Sequence, residues 1–322
     1  MKLLIIGAGA IGSIYGYLLS KSGNQVCHYV RKSRYDKLKN GINVELLDAR
    51  DEKKPRLIED LYKIDLRTDF SGPLDYDFIL VSMKHGSLDS ILKSFRDNNV
   101  KNTIVFFNGI WRDVSYVNDY ISSDQYLWGY PVAGGNMNYE TNLLKAAVLD
   151  HVILNEINDT KTKRLESISN TFKEASIKVE TPANILDWIW IHMAINAGVI
   201  STCLKYGSAS KFMDSLDGLK EGILTIRETL KVAEARGVNL RQFSGEINSF
   251  RMPTFISTRI MKNLFRKNIP VRQIMELHNN LDDLYELCTD VYESVLEYKI
   301  KAPLFTEKSK YFLNQSKRNN SN

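Results

Sequence analysis

The opening βαβ stretch narrows the fold more than any other part of the chain. Leu3 to Ile6 is an apolar run suited to a buried parallel strand, and it leads directly into Gly7-Ala8-Gly9-Ala10-Ile11-Gly12. An apolar helical pattern follows (Ile14, Leu18, Leu19), Gly23 stops it, and a second strand is expected at Val26 to Val30. Glycines in G-x-G-x-x-G spacing between a strand and a helix form a dinucleotide-binding fingerprint. Gly7 makes the tight turn, Gly9 lets the backbone approach a pyrophosphate, and Gly12 brings helix and strand together. The backbone N–H groups at the helix start, at Ala10 and Ile11, join the positive end of the helix dipole in facing the phosphates.

The end of the second strand selects the dinucleotide. An NAD site places Asp or Glu there, about 20 residues on, to accept from the ribose 2′-hydroxyl. This chain has Tyr29-Val30-Arg31-Lys32-Ser33-Arg34, with no carboxylate before Asp36. An acid would repel a 2′-phosphate, whereas the planar fork of Arg31 can grip it and Lys32 can add charge. The same run also reads as a solvated basic turn. Coupled to the glycine fingerprint, it makes NADP(H) the expected cofactor.

Composition sets the frame. At 322 residues the chain has room for two domains. A hydrophobic content of 43% and a charged content of 25% are ordinary for a globular protein, and the net charge of +5 is spread along the chain. Nucleic acid is therefore not an expected partner. Cys27, Cys203 and Cys288 are odd in number and far apart, which excludes a disulfide framework or a C-x-x-C zinc site and fits a reducing, cytoplasmic compartment. A strand opens the chain, so no cleavable leader is expected. Residues 185–204 are apolar enough to suggest a membrane span, but Asp187, His192 and Asn196 are costly in lipid. A buried helix in an all-helical domain is the better reading, and no membrane partner is expected.

Beyond the first unit, strands are expected at 77–82, 102–107, 126–131, 143–149 and 152–155 and near Lys178, with helices at 87–95 and 162–175. Apolar strands alternating with helices imply a parallel sheet covered on both faces. From Pro182 onward only helical periodicity remains, at 185–204, 219–236, 255–265 and 271–298. The last of these carries the stripe Leu277, Leu281, Leu284, Cys288, Val291 and Val295. The expected fold is α/β: an N-terminal Rossmann-type doubly wound sheet (1–180), a C-terminal all-helical domain (181–313) for substrate binding and homodimer formation, and a disordered tail (314–322). A cleft between the domains is the expected place for a small molecule.

Several motifs now fall in a recognisable order: Gly7-x-Gly9-x-x-Gly12, Arg31, Val81-Ser82-Met83-Lys84 and Phe107-Asn108-Gly109. In this order the chain resembles the ketopantoate reductase (2-dehydropantoate 2-reductase) family, NADPH-dependent reducers of a 2-oxo acid in pantothenate biosynthesis. The resemblance implies that Lys84 and Asn108 contact cofactor and substrate. Read alone, Lys84 is equally a solvated lysine after a strand, and Asn108-Gly109 equally a plain turn.

In the second half the resemblance departs from the family pattern. Alignment on Trp190 and Ala194-Ile195-Asn196 puts His192 where the family has its catalytic Lys, retains Asn196, and puts Ile200 in place of a second Asn. His192, Asn196 and Ile200 share a helix face by i, i+4 spacing. Counting back from Pro303 places the family's acidic partner at Asp283, with Asp282 beside it, and a serine-rich stretch maps onto Ser257 and Thr258. The resemblance thus implies His192, Lys84 and Asp283 as catalytic groups, with Asn108, Asn196, Ser257 and Thr258 on the substrate. His192 would donate as an imidazolium; the competing reading is a core histidine. His278 and Asp282, four residues apart, are expected on one helix face. The implied activity is reduction of ketopantoate or a related 2-oxo acid. The alternatives are a dehydrogenase of another oxo or hydroxy acid and a catalytically silent NADP(H)-binding redox sensor.

Overall fold

A computed structural model describes residues 1–83, 85–278 and 280–313. Lys84 and the 314–322 tail lie outside the described residues. The chain divides into two compact units: residues 1–109 with 113–185, and residues 110–112 with 186–322.

The first unit opens with β1 (Lys2–Ile6), α1 (Ala10–Lys21), β2 (Gln25–Tyr29) and α2 (Lys32–Leu38). Then come β3 (Ile42–Asp48), β4 (Arg56–Tyr62), β5 (Asp65–Arg67) and β6 (Phe78–Val81). α3 (Leu88–Asp97), β7 (Thr103–Phe107), β8 (Tyr126–Asn138), β9 (Leu143–Asn155), α4 (Lys163–Glu174) and β10 (Lys178–Glu180) complete it. Six strands run parallel in the order β5-β2-β1-β6-β7-β8. The chain steps from β1 to β2 on one side and returns to β6 on the other, so the strand order reverses at β1/β6, where open α/β sheets bind ligands. The strands are apolar because both faces are covered: Leu3, Leu4 and Ile5 of β1, and Phe78 through Val81 of β6, have no exposed surface.

The sheet is mixed rather than purely parallel. β9 returns antiparallel to β8, and β3 joins β9 in parallel and β4 in antiparallel register. The two strands expected at 143–149 and 152–155 are one long β9, which β8 follows through an irregularity between Pro131 and Ala133. β3, β4 and β5 add to the strands expected. Their local signal is the alternation Ile42, Val44, Leu46, which is buried while Asn43 is exposed.

The second unit is helical: α5 (Ile185–Tyr206), α6 (Ala209–Asp214), α7 (Leu216–Ala235), α8 (Ser244–Arg251), α9 (Thr254–Lys267), α10 (Ile269–Leu277), α11 (Leu281–Glu297) and α12 (Pro303–Lys308). Among the described residues α5 is the one helix long and apolar enough to cross a membrane, and 56% of its apolar window is buried inside the protein. Ala194, Ala197, Ser201 and Thr202 on it have no exposed surface. The single helix expected over 271–298 is two. α10 ends at His278 (ψ 77°) and α11 starts after Asn280 (ψ 94°), neither of them helical. Asn is a weak helix former, and the break falls beside Asn280. His278 and Asp282 therefore do not share a helix face.

Candidate active site

The glycine turn has the geometry that a phosphate cradle requires. Gly7 has φ +103°, and a Cβ there would lie 2.8 Å from the Ser82 carbonyl oxygen. A Cβ on Gly12 would lie 2.7 Å from the Gly7 carbonyl oxygen. Both contacts are with backbone, which cannot yield as a flexible side chain can. Gly9 caps α1 without any side-chain hydrogen bond, and the first helical bond runs from Ser13 N to Gly9 O. The N–H groups of Ala10, Ile11 and Gly12 precede that bond and point out of the helix end, where an anion is stabilised. Next to Gly9, the Tyr139 hydroxyl donates to the Ala8 carbonyl (3.4 Å), and the Arg34 guanidinium lies 3.8 Å over the Tyr139 ring.

Strand register brings the candidates of the first unit to one edge. Ile6 pairs with Tyr29 on one side and Val81 on the other, and Val81 pairs with Phe106. Gly7, Arg31, Ser82 and Asn108 therefore follow the carboxyl ends of neighbouring strands. Arg31 precedes α2; it and Lys32 are exposed, and Arg31 takes part in no ion pair among the described residues. The nearest acid in sequence, Asp36, is bound to Lys39 at 2.8 Å. Asn108 is 9% exposed, and its backbone carbonyl is fixed by the Trp128 indole N–H at 2.9 Å. Its side-chain oxygen is buried with no hydrogen-bond partner among the described residues. A buried acceptor left unmatched costs free energy, which makes this oxygen a candidate to accept from a ligand.

In the second unit, Trp188, His192 and Asn196 follow one another by single turns of α5. The His192 ring stacks flat on Trp188, with centroids 5.1 Å apart and planes 8° apart. Burial pulls His192 down to about 4, so the ring is neutral at neutral pH. The imidazolium donor expected from the sequence is thus corrected to a neutral imidazole with one N–H. Asp187, five residues earlier, is pushed up by burial. Ile200, on the same helix face, is 7% exposed.

Ser257 and Thr258 have local duties. The Ser257 hydroxyl donates to the Met252 carbonyl at 3.1 Å and the Thr258 hydroxyl to the Thr254 carbonyl at 2.7 Å. Their protons are committed to the backbone carbonyls of Met252, before α9, and Thr254, at its start, so as they stand they offer a substrate carboxylate no hydrogen. Asp283 lies in the first turn of α11, partly buried, with Asp282 exposed beside it.

Two turns further along α11 lies a residue that the sequence did not single out. Burial pushes Asp290 up to about 7, reinforced by Glu286 and Glu293 and opposed by Arg236 and Arg112. The Arg236 guanidinium lies between two indoles, 4.4 Å from the Trp111 ring and 4.1 Å from the Trp190 ring. The Trp111 N–H donates to Ser294 Oγ at 2.9 Å. The one local signal was the i, i+4 pair Glu286 and Asp290; the arginine and tryptophans come from distant parts of the chain.

Known proteins share the fold. Residues 3–136 match the family model for ketopantoate reductase PanE/ApbA. A 2-dehydropantoate 2-reductase of Pyrococcus horikoshii is 26% identical over 250 residues, covering 74% of this chain and 75% of that protein. The uncharacterized oxidoreductase YkpB of Bacillus subtilis is 23% identical over 273 residues, covering 83% and 85%. Among solved structures, D-mandelate dehydrogenase with NADH and anilino(oxo)acetate superposes with TM-score 0.70 at 15% identity, covering 99% of this chain and 100% of that one. The 2-dehydropantoate 2-reductase of Geobacter metallireducens gives 0.69 at 16% identity, covering 98% and 100%. At these identities the structures speak for the fold alone. Over residues 3–136 the chain is similar to ketopantoate reductase PanE/ApbA, and its sequence relatives include 2-dehydropantoate 2-reductases.

Proposed function

We propose that this protein is an NADPH-dependent reductase that converts a small 2-oxo acid to the 2-hydroxy acid, with ketopantoate or a close relative as substrate. The observation that carries the reading is the glycine turn at the strand-order reversal, with cationic Arg31 after β2 and the unmatched Asn108 oxygen after β7. The turn fits a dinucleotide, because the space that a Cβ on Gly7 or Gly12 would fill is what lets backbone N–H groups approach a pyrophosphate. Arg31 and Lys32 are the groups to hold a 2′-phosphate. Three free cysteines suit a reducing, cytoplasmic setting.

When bound, the reduced nicotinamide supplies the hydride that reaches the keto carbon. The residues of the chain orient the acid and supply a proton to the oxygen. Asn108 accepts a hydrogen from the bound molecules through its side-chain oxygen. Asn196 holds a polar group of the substrate. His192 donates a hydrogen bond from its single N–H to the keto oxygen, polarising the carbonyl and stabilising the alkoxide as it forms; if that proton passes to the alkoxide, the imidazolate left behind is reprotonated by water. Lys84 is the second candidate donor, and Asp283 the carboxylate that tunes the donor. Ser257 and Thr258 are left to shape the substrate side of α9, since their protons are already in use.

The test is NADPH oxidation with ketopantoate beside a panel of 2-oxo acids, with NADH as the control. Turnover with NADPH and slow turnover with NADH is the expected result. Tight NADPH binding without turnover of any 2-oxo acid would replace this reading with the silent redox sensor, and preference for NADH would overturn the role of Arg31.

A further inference from the structure

Beneath the glycine turn lies an imidazole that the proposed chemistry does not use. His28, on β2, has no exposed surface, and its Nδ1 is 2.9 Å from the Gly7 carbonyl oxygen. Its Nε2 is 3.0 Å from the Tyr62 hydroxyl at the end of β4. A carbonyl oxygen only accepts, so Nδ1 carries the proton and donates to Gly7; Nε2 is then the acceptor for the Tyr62 hydroxyl. Burial lowers the ring to about 4, so it stays neutral with one proton. Tyr62 is 3% exposed and packs edge-on against Tyr17 and His28, with centroids 5.9 and 5.8 Å away.

Room for the ring comes from α1. A Cβ on Gly16 would run into His28 Nε2 and lie 2.9 Å from the Tyr62 hydroxyl. Glycine inside a helix costs up to about 1 kcal/mol relative to alanine, and here it makes space for the pair of side chains.

We propose that His28 is a positioning residue of the dinucleotide site. Its hydrogen bond to the Gly7 carbonyl, held in one tautomer by Tyr62, fixes the Gly7–Ala8 peptide so that the Ala8 N–H is presented to the cofactor's pyrophosphate. A planar trans peptide points its C=O and N–H in opposite directions. A carbonyl drawn inward to His28 therefore turns the Ala8 N–H away from the sheet, and that N–H has no acceptor among the described residues. Gly7, at φ +103°, is the residue type with the most freedom to let the peptide rotate. In the rotated state a carbonyl oxygen would face the phosphate. The inference rests on reading the turn as a dinucleotide site.

The experiment compares the wild-type chain with Tyr62→Phe and His28→Ala. It measures the Kd for NADPH by titration, the melting temperature, and the ring nitrogens of His28 by 15N NMR. The wild type should show the Nδ1-protonated tautomer. His28→Ala should raise the NADPH Kd about tenfold. Tyr62→Phe, which keeps the ring packing, should raise it about threefold and introduce the Nε2-protonated tautomer. If His28→Ala does not fold, the Tyr62→Phe result decides alone. Lower melting temperatures with Kd unchanged would make His28 a core filler and overturn this inference alone. A wild-type chain that binds neither NADPH nor NADH would overturn the dinucleotide reading together with it.

Discussion

The glycine turn of the first unit and the His192 face of the second show two ways of building a site. The turn is made of backbone: N–H groups at a helix end, a peptide turned by Gly7, and a Gly12 that admits no Cβ. The α5 face is made of side chains whose chemistry depends on what surrounds them, and there the departures from the family pattern accumulate. A backbone site tolerates almost any neighbours if the glycines stay. A side-chain site changes character when burial shifts a pKa, as with His192.

Substitutions can break or sharpen this contrast. The largest effect is expected from His192→Ala, which should lower the reduction rate by roughly 10²–10⁴-fold while leaving NADPH affinity unchanged. Stopped-flow oxidation beside a binding titration separates the two, and an unaltered rate would return His192 to the core. Gly12→Val should do the reverse, weakening NADPH binding by about 100-fold or more, because its Cβ would meet the Gly7 carbonyl at 2.7 Å. Arg31→Ala should raise the Kd for NADPH by about tenfold and leave that for NADH nearly as it was. Equal losses for both cofactors would show that Arg31 does not read the 2′-phosphate.

Acid should weaken the fold through His28. The ring titrates at about 4 when folded, against an ordinary value of 6.5. Between those values the unfolded chain takes up a proton that the folded chain refuses. The contribution is full above about pH 6.5 and drains away toward pH 4, by about 1.4 kcal/mol per pH unit. Urea midpoints measured from pH 7 down to 4.5 should show this slope added to that of His192, and His28→Ala should reduce the total while the share of His192 remains. The smallest effect is expected from Ser257→Ala, which removes a hydrogen bond to Met252 and should change the KM for the oxo acid less than about threefold. A tenfold rise would show that the hydroxyl turns toward the substrate.

Much of the first unit was legible because its signals are local. The fingerprint, the apolar strands β1, β6 and β7, and the basic turn after β2 are each contiguous in sequence. The β3–β4 hairpin was written in a shorter alternation, and β9 joined two runs that looked separate. The break at His278 was less visible, because the apolar stripe continues in phase across it while the helix breaks beside Asn280. The candidate catalytic groups were legible only as positions. That Ser257 and Thr258 would spend their protons on the carbonyls of Met252, before α9, and Thr254, at its start, depends on helix geometry there.

By itself the sequence determined that the chain builds a strand-turn-helix dinucleotide cradle, that a cation rather than an acid follows the second strand, and that a helical half succeeds a sheet half. Those features follow from residue type and spacing over a few turns. Only the tertiary structure decided that Gly16 makes room for His28, that Tyr62 arrives from β4 to hold its tautomer, and that burial shifts the Asp290 carboxyl upward on α11. Burial and tautomer depend on which distant segments exclude water and supply partners, and those segments meet only when the chain has folded.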